Sequence, residues 1–200
     1  MNIGCIVMAA GQSRRFGGNK LLADLQGRPL LAHTLENIPR DAFARLLTVV
    51  SDQNVAALCH RLSMPCLCYP GGMQSETVRQ GLSQMLDMDG CLFLLGDQPL
   101  CSASSIRNLL NAFRETPEAV CRLAYCGRPG SPVLFPKRLF PGLLALTGEQ
   151  GGMAAARGDS RIRFVEALCP EELWDADTPE ALCRIAVYKN ALSQGIWCGG

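Results

Sequence analysis

The stretch "GCIVMAAGQSRRFGGNKLL", residues 4–22, decides the fold. It begins with a short apolar run that reads as a buried strand. The run ends in a loop of small residues and glycines that carries three cations, Arg14, Arg15 and Lys20, before apolar patterning resumes. Because ligands of open α/β sheets bind beyond the carboxyl ends of the strands, this loop is the first place to look for a site.

The composition is that of a single ordinary globular domain. The chain has 200 residues, of which 48% are hydrophobic and 18% charged, with a net charge of +1. We expect one domain over residues 1–195 and a disordered tail over 196–200. The charge gives no reason to expect a nucleic acid or a membrane as partner. The apolar start is too short to span a bilayer and lacks the layout of a signal peptide, so we expect a cytoplasmic protein.

The eleven cysteines predict free thiols. Their number is odd and they are scattered, whereas a disulfide framework is typical of smaller secreted chains. The pair Cys66 and Cys68 lacks a second half at zinc-finger spacing, and neither histidine completes one. We therefore predict reduced, mostly buried cysteines and no zinc.

Strand and helix patterns alternate along the chain. Continuous apolar strands are predicted at 3–8, 46–51, 66–69, 90–95, 120–125, 132–135 and 162–166. Helical spacing is predicted at 29–37, 55–62, 74–85, 102–114, 139–146 and 179–192. This order indicates an α/β fold, a single-domain three-layer sandwich around a mostly parallel sheet. Two loops at the ligand-binding edge carry unusual chemistry, the opening loop and Gly96-Asp97-Gln98-Pro99.

The opening loop fits neither of two familiar phosphate-binding patterns. Its glycines at 11, 17 and 18 miss the Rossmann spacing, and Lys20 is too far from Gly11 and lacks a following Ser or Thr for a P-loop. What remains is A-A-G-x-S-x-R-F-G-x-x-K. The amides of such a loop could line a triphosphate, with two cations neutralising it. The residues concerned are Ala9, Ala10, Gly11, Ser13, Arg15 and Lys20. The alternative is a surface loop with solvated cations.

Four ordered blocks carry a resemblance to a known family. They are "VMAAGQSRRFGGNKLL" (7–22), "LFLLGDQPL" (92–100), "GRPGSPVLFPKRLFPGLLALTGEQGG" (127–152) and "DADTPEAL" (175–182). Together they resemble the nucleotidyltransferases related to the molybdenum cofactor guanylyl- and cytidylyltransferases. In the last block Ala181 replaces the acid that the family commonly has. The resemblance runs over almost the whole chain and implies a Rossmann-like, GT-A-type nucleotidyltransferase fold.

The resemblance also implies an activity. A phosphate-bearing acceptor would attack the α-phosphorus of a nucleoside triphosphate and release pyrophosphate, with Mg²⁺ (or Mn²⁺) as cofactor. We expect CTP and the molybdopterin cofactor as substrates, with a molybdenum hydroxylase as recipient of the product. The alternatives are 2-C-methylerythritol 4-phosphate cytidylyltransferase, another sugar- or alditol-phosphate nucleotidyltransferase, and a non-catalytic molybdenum cofactor chaperone.

The candidate metal ligands are Asp97 and Asp177. Asp97 follows a buried strand in the family's G-D-[QM]-P turn, although an aspartate also suits an ordinary turn. Asp177 begins "DTPE", which is equally a good start of a helix. Asp175 could point the same way if that stretch is extended. We expect Lys20, Arg15 and Asp97 to act in catalysis.

The resemblance also assigns substrate contacts. Nucleotide contacts are expected from the opening loop, from Gly96 and from the start of the helix at 74, at Gln74, Ser75 and Thr77. Acceptor contacts are expected from Gly130, Ser131 and Glu149, on the 127–132 turn and in "GEQGG", although relatives commonly have His where this chain has Ser131. The guanylyl branch commonly reads A-G-G where this chain has Ala9-Ala10-Gly11, so the methyl of Ala10 favours CTP over GTP.

Overall fold

The computed structural model describes residues 1–11, 16–71 and 73–194. Within them, a seven-stranded sheet is covered by helices on both faces. The predicted three-layer α/β fold with a mostly parallel sheet is confirmed.

The structure places the elements close to their predicted positions. The strands are β1 (Ile3–Ala9), β2 (Asp24–Leu25), β3 (Arg28–Pro29), β4 (Arg45–Val50), β5 (Cys66–Cys68), β6 (Gly90–Leu95), β7 (Val120–Tyr125), β8 (Arg128–Pro136) and β9 (Ile162–Glu166). The helices are α1 (Leu30–Glu36), α2 (Gln53–Arg61), α3 (Gln74–Leu82), α4 (Ala103–Glu115), α5 (Phe140–Leu144) and α6 (Pro179–Ser193). Among the described residues, no helix combines the length and the apolar character that crossing a bilayer requires.

The strand order positions the site. The sheet runs β5-β4-β1-β6-β8-β7-β9, and β2 and β3 form a separate small hairpin. Strands β5, β4, β1 and β6 are mutually parallel, whereas β8 is antiparallel to both of its neighbours. Met8 of β1 pairs with Leu95 of β6. The opening loop and the Gly96-Asp97 turn therefore leave the sheet side by side.

Alternating side chains of β1 pack into two hydrophobic cores, one on each face of the sheet. Cys5 and Val7 pack on the face covered by α1, α2, α4 and α6, while Ile6 packs on the face covered by α3 and α5. All three side chains are completely buried. A strand buried on both faces reads as one continuous apolar run, which is why the opening stretch lacks the alternation of a surface strand.

Three helices begin at polar caps visible in the sequence. Asp52 accepts hydrogen bonds from the amides of Asn54 and Val55 at α2. Ser102 caps α4, and Thr178 caps α6 directly before Pro179. Each cap satisfies amides that the first turn of a helix leaves without a partner.

The structure corrects three details of the prediction. Strand β8 begins at Arg128, not Pro132, so the expected 127–132 turn is reduced to Cys126 and Gly127, with φ of 46° and 76°. The helix expected over 139–146 is the shorter α5, preceded by a 3₁₀ turn. The β2–β3 hairpin was not predicted, because two-residue strands are too short to show a period.

The ten cysteines among the described residues are all free thiols. Five of them are buried, namely Cys5, Cys59, Cys91, Cys101 and Cys121. The other five are partly or fully exposed, so the expectation of mostly buried thiols holds for half of them. Among the described residues, no group of three or more His, Cys, Asp or Glu side chains is arranged to hold a metal ion by itself.

Candidate active site

A cleft of about 450 Å³ opens at the carboxyl ends of β1 and β6. It gathers residues from the opening loop, the turn after β6, the start of α3, the segment before α6 and the loop around residue 149. Its lining consists of Met8, Ala9, Ala10, Gly11, Lys20, Leu21, Gln74, Thr77, Leu95, Asp97, Glu149, Asp175 and Asp177. The structure thus brings together most of the residues predicted for the nucleotide and the metal.

Gly96 allows the two strand ends to approach closely. Its amide donates to the carbonyl of Met8 at 3.0 Å. A Cβ atom at this position would lie 3.2 Å from that carbonyl and 3.3 Å from the Cβ of Ala9, tighter than most real contacts. The hydroxyl of Thr34 donates to the Gly96 carbonyl at 2.9 Å. The backbone that carries Asp97 is therefore fixed from both sides.

The backbone of Ala10 is held by the neighbouring strand. Its carbonyl accepts a hydrogen bond from the hydroxyl of Ser51 at 3.1 Å, at the end of β4. Ala10 lines the cleft but is only 2% exposed. Ala10, the residue directly after β1, is thus held in the wall of the cleft, and Gly11 is the first exposed residue of the loop.

Lys20 lies between two carboxylates. Its Nζ donates to Oδ1 of Asp177 at 2.7 Å and also to Oδ2 of Asp97. The side chains of Lys20 and Asp97 are 14% and 11% exposed, whereas that of Asp177 is 43% exposed. Three side chains from distant parts of the sequence therefore form one charged cluster in the cleft.

The charges of the cleft perturb one another. Burial disfavours the charged form of Lys20, but Asp97 and Asp177 outweigh it, so the pKa of Lys20 is raised. Burial, together with the charges of Asp177 and Asp97, raises the pKa of Asp175. Three carboxylates against one ammonium leave this end of the cleft negatively charged when all are ionised, which suits a cation.

The donor set fits a hard divalent cation. Two carboxylates, Asp97 and Asp177, converge on one point that the Lys20 ammonium holds. Carboxylate oxygens are what Mg²⁺ prefers, and Mg²⁺ is usually held by one or two carboxylates together with substrate phosphates and water. Asp97 and Asp177 are therefore the residues that could hold the metal, and their role as ligands stays a prediction.

The segment before α6 is tied to the turn after β6. The amide of Ala176 donates to the carbonyl of Asp97 at 3.1 Å, and Ala176 is fully buried. Thr178 then caps α6. Asp175 and Asp177 flank this buried anchor, and both line the cleft.

The start of α3 forms the opposite wall. Gln74 and Thr77 line the cleft, whereas Ser75 is buried and is not part of the lining. The hydroxyl of Thr77 lies 2.8 Å from that of Tyr69. The carboxylate of Glu149 accepts a hydrogen bond from the backbone N–H of Gln74 at 3.3 Å. Glu149 thus lies beside the residues predicted for the nucleotide.

The other two residues predicted for the acceptor lie in a neighbouring cavity. Gly130 and Ser131 line a space of about 700 Å³ that shares Leu95 and Asp175 with the cleft. The backbone of Gly130 lies close against Leu173, since a Cβ atom at this position would be only 2.7 Å from Cδ2 of Leu173. The predicted acceptor residues are therefore divided between two adjoining spaces, and Asp175 stands between them.

The second cavity contains groups that sequence reasoning missed. Arg122 projects from β7, and its Nε donates to the carbonyl of Gly130 at 2.7 Å. Burial lowers the pKa of this guanidinium. Arg128, Tyr125 and Trp174 complete a lining that is both basic and aromatic. A charged residue within the apolar run "VCRLAY" was the available signal for Arg122.

Some predicted residues fall outside the described part of the chain. Ser13 and Arg15 of the opening loop lie within residues 12–15, and the predicted tail lies within 195–200. Their contacts stay predictions from the sequence.

Comparison with protein families gives one extensive match. The family model described as "MobA-like NTP transferase domain" matches residues 5–163. This span includes Lys20 and Asp97 and ends before Asp175 and Asp177.

Two curated relatives differ in the reactions named. One is the 2-C-methyl-D-erythritol 4-phosphate cytidylyltransferase of Dehalococcoides mccartyi strain 195, 32% identical over 126 residues, which are 59% of this chain and 56% of the relative. Another is a probable molybdenum cofactor guanylyltransferase of Thermococcus kodakarensis, 29% identical over 58% of this chain and 56% of the relative. The chain thus spans about half the length of these curated relatives.

A solved structure resembles nearly the whole chain. It is the homologue, from Mycobacterium sp. strain JC1, of Rv0371c of Mycobacterium tuberculosis. The two chains are 25% identical with a TM-score of 0.77, and the alignment covers 95% of this chain and 98% of the other.

Proposed function

Because the chain belongs to the MobA-like NTP transferase domain family, we propose that it transfers CMP from CTP to the molybdopterin cofactor and releases pyrophosphate. An oxygen of the acceptor's phosphate forms a bond to the α-phosphorus of CTP. The bond from that phosphorus to the bridging oxygen breaks, and its electrons leave with pyrophosphate. The product is the cytosine dinucleotide form of the cofactor.

One observation carries the proposal, the convergence of Lys20, Asp97 and Asp177 beside the opening loop. Phosphoryl transfer requires little covalent chemistry from a protein, so positioning and charge neutralisation determine the rate. Two carboxylates that could hold a cation, and an ammonium beside them in the same cleft, would provide both. A pure carrier of the cofactor has no need for this arrangement, which disfavours the chaperone alternative.

Each wall of the cleft has a part in the proposal. The amides of residues 9–11 and the ammonium of Lys20 bind the triphosphate, and the start of α3 with Gln74 contacts the nucleoside. Asp97 and Asp177 hold Mg²⁺, which when bound neutralises negative charge on the phosphates.

The second cavity suits a flat, phosphorylated acceptor. Tyr125 and Trp174 contribute aromatic rings to its lining, and Arg122 and Arg128 contribute positive charge for a phosphate. This cavity adjoins the cleft at Asp175 and Leu95, so an acceptor bound there would lie next to the nucleotide. An aromatic lining favours a pterin over the acyclic alditol phosphate of the runner-up.

The runner-up is 2-C-methylerythritol 4-phosphate cytidylyltransferase activity. It is supported by the similarity to the Dehalococcoides mccartyi enzyme over 126 residues. Both candidates use CTP, so the nucleotide does not distinguish them and the acceptor does.

The test measures pyrophosphate release with CTP or GTP, Mg²⁺ and each acceptor, with mass spectrometry of the product. We expect release only with CTP and the molybdopterin cofactor. Asp97→Asn should lower kcat/KM by about 10²-fold or more, because a charged group at the reacting phosphates is lost. The matched control is Asp89→Asn, which changes an exposed aspartate at the other end of β6. Release with 2-C-methylerythritol 4-phosphate alone would establish the runner-up instead, and no release with any acceptor would refute catalysis.

A further inference from the structure

The ammonium of Lys20 fills the point on which Asp97 and Asp177 converge. Its Nζ is within hydrogen-bond distance of both carboxylates, 2.7 Å from Oδ1 of Asp177. A divalent ion between the same oxygens would lie about 2.0–2.1 Å from them. The two positions overlap, so the ammonium and the metal ion exclude each other in space and repel each other in charge.

The backbone at Lys20 is anchored, so only the side chain can leave this point. The side chain of Asn19 donates to Asp52 at 3.0 Å and accepts from the amide of Leu21 at 3.1 Å. Leu21 itself is 3% exposed and packs in the core. Lys20 therefore moves by rotation of its four-carbon stem, which carries a single mobile charge.

We propose that Lys20 is a tethered counter-ion that keeps the two carboxylates closed to a divalent cation until a nucleoside triphosphate draws the ammonium away. The inference rests on the proposed function, since it takes Asp97 and Asp177 as the metal ligands. The nucleotide then binds before the metal ion or together with it. The free protein binds a divalent cation only weakly.

The ammonium can leave the carboxylates at low energetic cost because it exchanges one anionic partner, the two carboxylates, for another, the triphosphate. Moving the ammonium away without a substitute would remove the cation that Asp97 and Asp177 share in a partly buried cleft, which is costly. A triphosphate gives the ammonium a new anionic partner, and the metal ion then replaces it between the carboxylates. Each charge keeps a partner throughout, so the two ligands favour one another's binding.

The test is Mn²⁺ binding by the full chain, measured from the electron paramagnetic resonance signal of free Mn²⁺, without nucleotide and with a non-hydrolysable CTP analogue. Without nucleotide, Lys20→Met should bind Mn²⁺ about 10-fold more tightly than the wild type, because one competing charge is removed. The analogue should strengthen Mn²⁺ binding of the wild type more than that of the variant. Lys20→Gln should behave like Lys20→Met, with circular dichroism melts confirming that both variants fold.

The chain contains a matched control. Lys137 is also the first residue of a three-residue 3₁₀ helix, "KRL" against "KLL" at Lys20, but it is exposed at the opposite edge of the sheet. Lys137→Met should bind Mn²⁺ like the wild type. If Lys20→Met and Lys137→Met increased the affinity for Mn²⁺ equally, the increase would come from the overall charge of the protein, and the inference would be overturned.

A second comparison separates this inference from the metal assignment. Asp97→Asn should abolish the gain produced by Lys20→Met, because the gained affinity resides at that carboxylate. If Asp97→Asn weakens Mn²⁺ binding while Lys20→Met leaves it at the wild-type value, the counter-ion role fails and the metal site stands. If Asp97→Asn has no effect on Mn²⁺ in either background, the metal site of the proposed function fails as well.

Discussion

Gly90→Ala would place a methyl group inside the core beside Phe113. The added Cβ would lie 2.5 Å from Cζ and 2.7 Å from Cε1 of the ring, about 1 Å inside the 3.5–4.0 Å of a favourable carbon contact. Phe113 is fully buried. Gly90 is paired with Ile3 on one side and Pro136 on the other, so the strand cannot move away cheaply. We expect a loss of about 2–3 kcal/mol in the free energy of unfolding.

A double-mutant cycle tests the stated cause. Phe113→Leu alone removes the clashing ring atoms and should cost about 1.5 kcal/mol through the space left behind. If the two changes were independent, the double variant would lose about 4 kcal/mol. Because the new methyl fills part of the space left by the ring, we expect a loss of about 2 kcal/mol, which is a favourable coupling of about 2 kcal/mol.

The assay is urea unfolding followed by circular dichroism, with the same dependence on urea in all variants. Gly142→Ala is the matched control, since its Cβ would meet Ala155 at an ordinary 3.5 Å. In a helix interior, that change should stabilise by up to about 1 kcal/mol. Strict additivity of Gly90→Ala and Phe113→Leu, or an unchanged midpoint for Gly90→Ala, would refute the reasoning.

Three further predictions concern selectivity, a buried carboxylate and acid stability. Ala10→Gly should lower the ratio of kcat/KM for CTP over GTP, and an unchanged ratio would place base selection elsewhere. Glu172→Gln should lower the free energy of unfolding by about 2 kcal/mol, because Glu172 is 3% exposed and accepts a hydrogen bond from Ser105; urea unfolding measures this, and a loss under about 0.5 kcal/mol would contradict it. The pKa of Asp159 is lowered from 3.8 to about 2, and the largest cause is the hydrogen bond that its carboxylate accepts from the backbone N–H of Arg161. The stability that this carboxylate contributes is therefore present above pH 3.8 and is lost as the pH falls through about 2, so urea unfolding should show that Asp159→Asn costs stability near neutral pH and nothing below about pH 2.

The sequence predicts the parallel strands of the sheet well and the antiparallel strand β8 less well. Strands β1 and β6 are apolar throughout, so their burial and parallel pairing follow from the pattern. Residues 128–131 of β8 were missed because Pro129 and Gly130 are poor strand residues. In the structure, residues 130–132 lie where the register with β7 shifts between Arg122 and Ala124, and a shifted register leaves residues without ladder hydrogen bonds.

The site was predictable as a set of residues but not as a set of contacts. Sequence order places Asp97 at the carboxyl edge of the sheet, next to the opening loop. Periodicity does not tell which anion Lys20 faces, because that depends on the path of the segment before α6. For the same reason the contact of Glu149 with Gln74 was not predictable, since it joins a loop to a helix start 75 residues away.

The wide separation of the charged residues along the chain has a consequence for biosynthesis. Lys20 is 77 residues from Asp97 and 157 from Asp177. A ribosome adds the intervening 80 or so residues after Asp97 in about 4–16 s at about 5–20 residues per second. During that interval Asp177 has not been made, so the charged cluster of Lys20, Asp97 and Asp177 is incomplete. The cluster, and with it the proposed binding of a divalent ion together with a nucleotide, therefore waits until the segment before α6 has emerged and docked.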